Sequence, residues 1–400
     1  MSTTSSALVV PGFRAAGVHC GIKARSRDLA LVVSEETASV AGVYTQSAVV
    51  GAPVEWCRQH GAKGRARALV VNSGISNVAM GDRGRRANES VASQVSRLVG
   101  CPVSQVMTGA TGVIGEPLPV GKLRGGITRA HAALRPTGFA AAAEAIRTTD
   151  TVAKTARRTV EIAGRPVTLV GMAKGSGMIE PRMATMLAYV FTDAAVEPGL
   201  LRSVVRRTAD VTFNRLSVDG ETSTSDCFLA FANGQAGHAP LRTRGSVGAG
   251  VFEESLLGLC ESLVRDLARD GEGATKLVTI DVRGAASPAE AERAARRIAN
   301  SALVKTALFG RDPNWGRIVQ TVGAAGVRLR EKSAEVRLCG VPVFARGAST
   351  GPAARRKASE RMSGPEVEIE VNLAAGKAAT RMWTCDFSYD YVRINAEYTT

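Results

Sequence analysis

Between residues 174 and 191 the chain passes from a glycine turn into a wholly apolar run. Lys174-Gly175-Ser176-Gly177-Met178-Ile179-Glu180-Pro181-Arg182-Met183-Ala184-Thr185 is followed by Met186 to Phe191. A short apolar run led in by turn residues reads as a buried strand. Taken alone, a threonine at the start of such a strand is a β-former. It is also a place where a chain can cut itself and leave Thr185 as a new N-terminus. An N-terminal threonine joins nucleophile and base in one residue: the hydroxyl attacks and the α-amine takes the proton.

The rest of the chain gives this segment a large globular setting. Four hundred residues suffice for two or three domains or one large layered core. Aromatic residues make up only 4%, so the core rests on Ala, Val, Leu and Ile. Short apolar runs predict strands at Leu29 to Val33, Ala68 to Asn72, Val167 to Met172, Leu187 to Thr192 and Lys276 to Val282. Val367, Ile369 and Val371 alternate with glutamates, as in a half-exposed strand. The Ala-rich stretch Phe139 to Arg147 predicts a helix, and Phe252 to Arg269 another, with Leu256, Leu259, Leu263 and Leu267 on one face. Ser287-Pro288-Ala289-Glu290 opens a further helix with a capping box and a proline at its first position. Ala348 to Arg361 reads as an exposed basic loop, and the first residues as a short polar tail.

A formal charge of +15 invites a nucleic-acid reading. The arginines come in scattered pairs such as Arg85-Arg86 and Arg296-Arg297, without one basic stripe or interleaved aromatics, so we expect a solvated surface and no nucleic-acid partner. The charge would favour anionic substrates. Seven cysteines, an odd number without a Cys-x-x-Cys pair, and four isolated histidines offer no disulfide framework or metal set, and suit a reducing cytoplasm. No apolar run reaches membrane-spanning length, and no signal-peptide pattern opens the chain, so no membrane partner is expected.

Five separated blocks carry a family resemblance. The segment from Lys174 to Ala194 resembles the self-cleavage region of the ornithine acetyltransferases, bifunctional glutamate N-acetyltransferases of arginine biosynthesis. Ala110-Thr111-Gly112-Val113-Ile114-Gly115-Glu116-Pro117-Leu118-Pro119 resembles their oxyanion-hole loop. Thr212 to Asp226, Lys305 to Ile318 and Cys385 to Tyr398 resemble further signatures, in the same order along the chain. The resemblance implies an α/β fold: a four-layer αββα core at residues 1–280 with a smaller C-terminal domain at 281–400. It implies self-cleavage between Ala184 and Thr185 into an α chain, 1–184, and a β chain, 185–400, assembled as an α2β2 heterotetramer. Thr185 would take acetyl from N-acetylornithine and pass it to glutamate. The Thr111 hydroxyl and Gly112 N–H would stabilise the oxyanion.

Residues matching the family's substrate contacts are Lys174, Glu272, Asn395, Thr400 and either Thr148 or Thr149, which spacing does not separate. A lysine suits a substrate carboxylate, and an acid suits an ammonium. No metal or cofactor is implied, and no phosphate-cradling glycine loop supports acetyl-CoA as a donor. The chain departs from the family at Arg182, where asparagine is common, and at Ile75 in Asn72-Ser73-Gly74-Ile75-Ser76-Asn77, where asparagine is also common. Three other readings stand beside this one: acyl transfer between other amino acids in specialised metabolism, an amidohydrolase or aminopeptidase using water as acceptor, and a binding protein that no longer cleaves.

Overall fold

The computed structural model describes residues 7–180 and 186–397. The elements of the first part, in chain order, are β1 (Phe13–Val18), β2 (Leu29–Tyr44), α1 (Ala52–Gly61), β3 (Arg65–Ile75), α2 (Gly81–Val99), β4 (Val106–Val113), α3 (Val120–Ala132), α4 (Phe139–Ala145), β5 (Lys154–Ile162), β6 (Arg165–Lys174), β7 (Leu187–Thr192), α5 (Pro198–Val211), β8 (Cys227–Ala232) and α6 (Ala249–Arg269). The second part holds β9 (Leu277–Ala285), α7 (Pro288–Ala299), α8 (Ala302–Phe309), α9 (Trp315–Gly323), β10 (Glu335–Leu338), β11 (Val341–Ala345), β12 (Ala348–Ser349), α10 (Pro352–Arg361), β13 (Glu366–Asn372), β14 (Ala378–Cys385) and α11 (Tyr389–Glu397).

Eight strands form one sheet in the order β4-β3-β2-β8-β7-β6-β5, with β1 also on β2. The long β2 makes this sheet serve as two layers. Its first half, Leu29 to Val33, pairs with β1 and β3, whereas Ser39 to Tyr44 pairs with β8. Register slips between Val33 and Ala38, a local irregularity of the kind that bends a strand. The two halves of the sheet then face each other across an apolar core. Ala30, Val32, Leu69 and Val71 come from one side, and Val170, Met172, Leu187, Tyr189, Phe191, Leu229 and Phe231 from the other.

Each half is covered on its outer face by helices. Leu31, Ala68 and Val70 pack with Val91 and Val95 of α2 and Leu123 and Ile127 of α3. Ala188, Val190, Phe228 and Ala230 pack with α5 and α6, and the expected leucine stripe Leu256, Leu259, Leu263 and Leu267 is buried there. Helix, sheet, sheet and helix are therefore stacked around three apolar cores. Burial of β7 on both faces is what its uninterrupted apolar run anticipates.

A second, six-stranded sheet runs β12-β11-β10-β13-β9-β14. Its own core combines Ile280, Val367, Ile369 and Val371 with Ala294 and Ile298 of α7. Strand β9 spans Leu277 to Ala285, so a division at 280/281 falls within it. The helix start at Ser287 is as expected, with its hydroxyl capping the Glu290 N–H at 3.2 Å. The other half of the box differs, because Glu290 turns to Arg328 at 2.8 Å instead. The expected basic loop at 348–361 is corrected: it holds β12 and the helix α10. Pro352 sits in the first turn of that helix, where its missing N–H is not needed, and Ala358 is buried against the second core.

Candidate active site

A cavity of about 360 Å³ opens where β4 and β6 end and β7 begins, closed by the loop before β8 and by α11. Its wall includes Thr111, Gly112, Thr148, Thr149, Lys174, Glu272 and Asn395. The structure thus brings together residues that lie almost three hundred positions apart in sequence. Ala184, Thr185, Arg182 and Thr400 fall outside the described residues. The described chain reaches the cavity from both sides of that segment, through Gly177 and Met178 before it and Met186 and Leu187 after it.

Thr111 and Gly112 sit at the end of β4, which runs parallel to β3. The two strand ends approach closely: a Cβ on Gly112 would overlap the carbonyl of Gly74 and lie 2.7 Å from its Cα. Gly112 also has φ +124, so no other residue fits without displacing β3. Lys174, the last residue of β6, is 9% exposed and donates from Nζ to Thr111 Oγ1 at 3.2 Å. Because Thr111 accepts this bond, its own O–H is left to donate elsewhere. Burial pushes the Lys174 ammonium below its usual range, and Asp150, Asp226 and Glu272 pull it partly back.

Upstream of the undescribed segment, side-chain carboxylates organise the turn. Asp150 accepts from the Gly175 N–H at 2.7 Å, and from the buried Lys154 at 2.6 Å. Burial alone would raise its carboxyl, yet Lys174 and Lys154 outweigh that and hold it well below the usual range. Asp219 accepts from Met178 N at 2.6 Å and Ile179 N at 2.8 Å. Met178 takes φ +55, a left-handed conformation uncommon for a side chain of its size. Glu180 is held by Arg296 at 3.0 Å and Asn300 at 2.7 Å. Downstream, Met186 leads directly into the ladder: its carbonyl accepts from Cys227 N at 3.0 Å, and β7 pairs with β6 and β8.

Glu272 and Asn395 meet directly, with Asn395 Nδ2 donating to Glu272 Oε2 at 3.0 Å. Glu272 also lies over Gly177, where a Cβ would collide with its carboxylate. Both Thr148 and Thr149 line the cavity. The Thr149 hydroxyl shares a 2.6 Å hydrogen bond with Ser176, whereas the Thr148 backbone N–H donates to Asp150 at 3.0 Å. Sequence reasoning did not single out Asp150, Ser176, Asp219, Asp226 or Tyr391, although all but Asp150 lie inside blocks quoted for the family. Their burial and convergence are tertiary facts with no periodic signature. Among the described residues no group of three or more His, Cys, Asp or Glu side chains is placed to hold a metal. No described helix is long and apolar enough to cross a membrane.

An Arginine biosynthesis bifunctional protein ArgJ from Synechococcus sp. is 45% identical over 407 aligned residues, covering 99% of this chain and 98% of the relative. The protein of that name from Bradyrhizobium diazoefficiens is 44% identical, covering 98% and 95%. The crystal structure of the ArgJ protein from Bacillus halodurans superposes with a TM-score of 0.50 at 38% identity, covering 52% of this chain and 96% of that one. The ArgJ family matches residues 14–400, and the chain belongs to it.

Proposed function

We propose that the chain cuts itself between Ala184 and Thr185 and then transfers acetyl from N-acetylornithine to glutamate through an acetyl-Thr185 intermediate. One observation carries this reading: Thr111, Gly112, Lys174 and the Glu272–Asn395 pair converge on one cavity, and the chain enters and leaves it on either side of Ala184-Thr185. The relatives' names, which place them in arginine biosynthesis as bifunctional proteins, support an amino-acid substrate.

In the first reaction the Thr185 hydroxyl attacks the Ala184 carbonyl. The peptide nitrogen leaves as the α-amine of Thr185, and water hydrolyses the ester. That amine has a reference pKa of about 7.7–8.0, so a substantial fraction is neutral at working pH and acts as base. In the second reaction the hydroxyl takes the acetyl group and ornithine leaves. The amine of glutamate then attacks the acetyl carbon and regenerates the hydroxyl. Each half passes through an oxyanion. The Thr111 O–H is free to donate to it because Lys174 already occupies an acceptor position on the same oxygen, and that charge strengthens the donor. One such donor is worth about 3–4 kcal/mol. Glu272 is placed to hold an ammonium, with Thr148, Asn395 and Thr400 completing the substrate contacts.

The two fragments would stay together, since β6 from one and β7 from the other are neighbours in the same sheet, and β2 pairs with β8. Half-length coverage by the Bacillus halodurans chain, matched over nearly its whole length, fits a family cut near its middle. An α2β2 assembly and a cytoplasmic setting complete the proposal. All seven cysteines are free, which suits a reducing compartment.

The test is intact mass and a denaturing gel for wild type beside Thr185→Ala. Two fragments meeting at Ala184/Thr185, absent from the variant, support the mechanism; one uncut wild-type chain refutes it. Acetyl transfer is then followed with glutamate, with other amino acids and with water alone. Release of ornithine that depends on glutamate separates the proposal from the hydrolase and from transfer to other acceptors.

A further inference from the structure

Asp226 lies at the start of β8, on the wall of the same cavity. It is 2% exposed, and its Oδ2 has no hydrogen-bond partner among the described residues. The backbone fixes it there from both sides. Its carbonyl accepts from Thr45 N at 3.1 Å, and the next N–H, that of Cys227, donates to Met186. Asp226 is therefore across from the residue that follows Thr185 in sequence. A buried carboxyl with an oxygen unpaired is costly unless a ligand completes it or a proton neutralises it.

The surrounding groups decide between those outcomes. Lys174 faces Asp226 from β6 but donates to Thr111. Asp219 and Glu221 lie on the loop before β8, Glu272 on the loop after α6, and Tyr391 on α11. Cys227 follows on β8, with Tyr44 opposite it on β2. Arg58 of α1 donates to the Thr45 carbonyl, so its charge is engaged beside the site. One cation that is already shared and several acids leave little to stabilise a further negative charge. Burial accordingly pushes the Asp226 carboxyl well above the usual range, against weaker opposition from Ser223 and Lys174.

We propose that Asp226 is a further substrate-contacting residue, a neutral carboxylic acid whose O–H donates a hydrogen bond to an oxygen of the N-acylated amino acid bound in the cavity. This rests on the acetyl-transfer reading above for the identity of the substrate. A neutral acid contributes a donor without adding a charge that would repel the substrate carboxylate. It also leaves Lys174 and Glu272 as the charged contacts.

Two measurements on the self-cleaved enzyme test it. Infrared difference spectra between wild type and D226N, at neutral pH without substrate, should show the carbonyl stretch of a protonated carboxyl. Its absence overturns the proposal whatever the enzyme's activity. Kinetics with N-acetylornithine and glutamate form the second arm, for D226N and D226L that have cleaved and folded. D226L should raise KM for N-acetylornithine roughly 10- to 100-fold with a smaller change in kcat, the loss of one hydrogen bond to bound substrate. D226N, which keeps a neutral donor, should recover most of that loss. The alkaline fall in kcat/KM that comes from ionising Asp226 should be missing from its pH profile. If D226N is as impaired as D226L, an ionised carboxylate is required and the proposal fails. A D226L enzyme with wild-type KM removes the contact altogether. A wild type that shows the infrared band yet neither binds nor turns over N-acetylornithine refutes the acetyl-transfer reading and the substrate named here, while the neutral acid stands.

Discussion

The two flanks of the segment at 181–185 are held by different physics. Before it, residues 175–180 lie outside any ladder and are fastened by side chains together with three single backbone bonds: Asp150 takes the Gly175 N–H, Asp219 takes those of Met178 and Ile179, Arg296 with Asn300 holds Glu180, and the backbones of Glu272, Val218 and Glu221 pair with those of Ser176, Ile179 and Glu180. After it, Leu187 to Thr192 is fastened by two backbone ladders and by apolar burial on both faces. A ladder buried in a core is insensitive to any one polar neighbour. A turn held by carboxylates answers to each of them, and it can hold a left-handed Met178 because its N–H groups are claimed from outside. The contrast suits the proposed cut between Ala184 and Thr185, which would fall between a clamped turn and a buried strand.

The sharpest way to break this contrast is on the rigid side. Phe191 contacts Phe13, Phe139 and Phe231 at ring-centroid distances of 5.4, 5.3 and 5.1 Å. Phe191→Ala should cost about 3–5 kcal/mol in denaturant unfolding while the folded fraction still cleaves. Loss of cleavage in fully folded protein would contradict the division of labour.

Asp150→Asn acts on the polar side and should cost about 3 kcal/mol at neutral pH, because buried Lys154 keeps only Asp270 as its charged partner. The pH dependence follows from a carboxyl held low. Its contribution is fully present above the unfolded value, about pH 4, and fades as pH falls through its own lower value. The gap between wild type and variant should therefore narrow only under strong acid, read from Tm against pH. A gap that narrows near pH 6 would show that Asp150 is not held low.

Asp219→Asn should be milder in stability, about 1–2 kcal/mol, yet slow self-cleavage about tenfold, because one acceptor oxygen becomes a donor facing backbone N–H groups. A time course of fragment formation checks it. Equal cleavage rates would reduce the upstream clamp to a stability device. As a reference outside both flanks, Arg381→Ala removes an exposed pair with Asp281 on the second sheet and should change stability by about 0.5 kcal/mol or less.

Much of the architecture was legible before any coordinates. Apolar runs marked the buried strands β3, β6, β7 and β9, and the leucine spacing marked α6. The elements that escaped were those whose partners lie elsewhere. β5, with exposed Arg157, Arg158 and Thr159, is an edge strand recognisable only once β6 is beside it. α10 is rich in arginine and small residues, shows a weak apolar face and opens with a proline read as a loop signal, so its helical state rests on packing; α2 does carry Val91, Ala92 and Val95 on one buried face, a spacing that the sequence reading passed over among its arginines. The continuation of β2 to Tyr44, which turns one sheet into two layers, depends on a shift of register that no local pattern announces.

For the site, the sequence by itself determined the threonine after a small residue, the lysine and glycines before it, and blocks shared with a known family. Gly112 entered by resemblance, as an oxyanion N–H; that no side chain fits there, because of Gly74, is a tertiary fact. Only the tertiary structure decided which isolated acids matter. Asp150, Asp219 and Asp226 look alike in sequence, but one is held low between two lysines, one caps a turn, and one is buried with an oxygen unpaired among the described residues. The physical reason is that a carboxyl's state depends on desolvation and on charges a few ångströms away, and those neighbours are brought together by the fold rather than by the order of the chain.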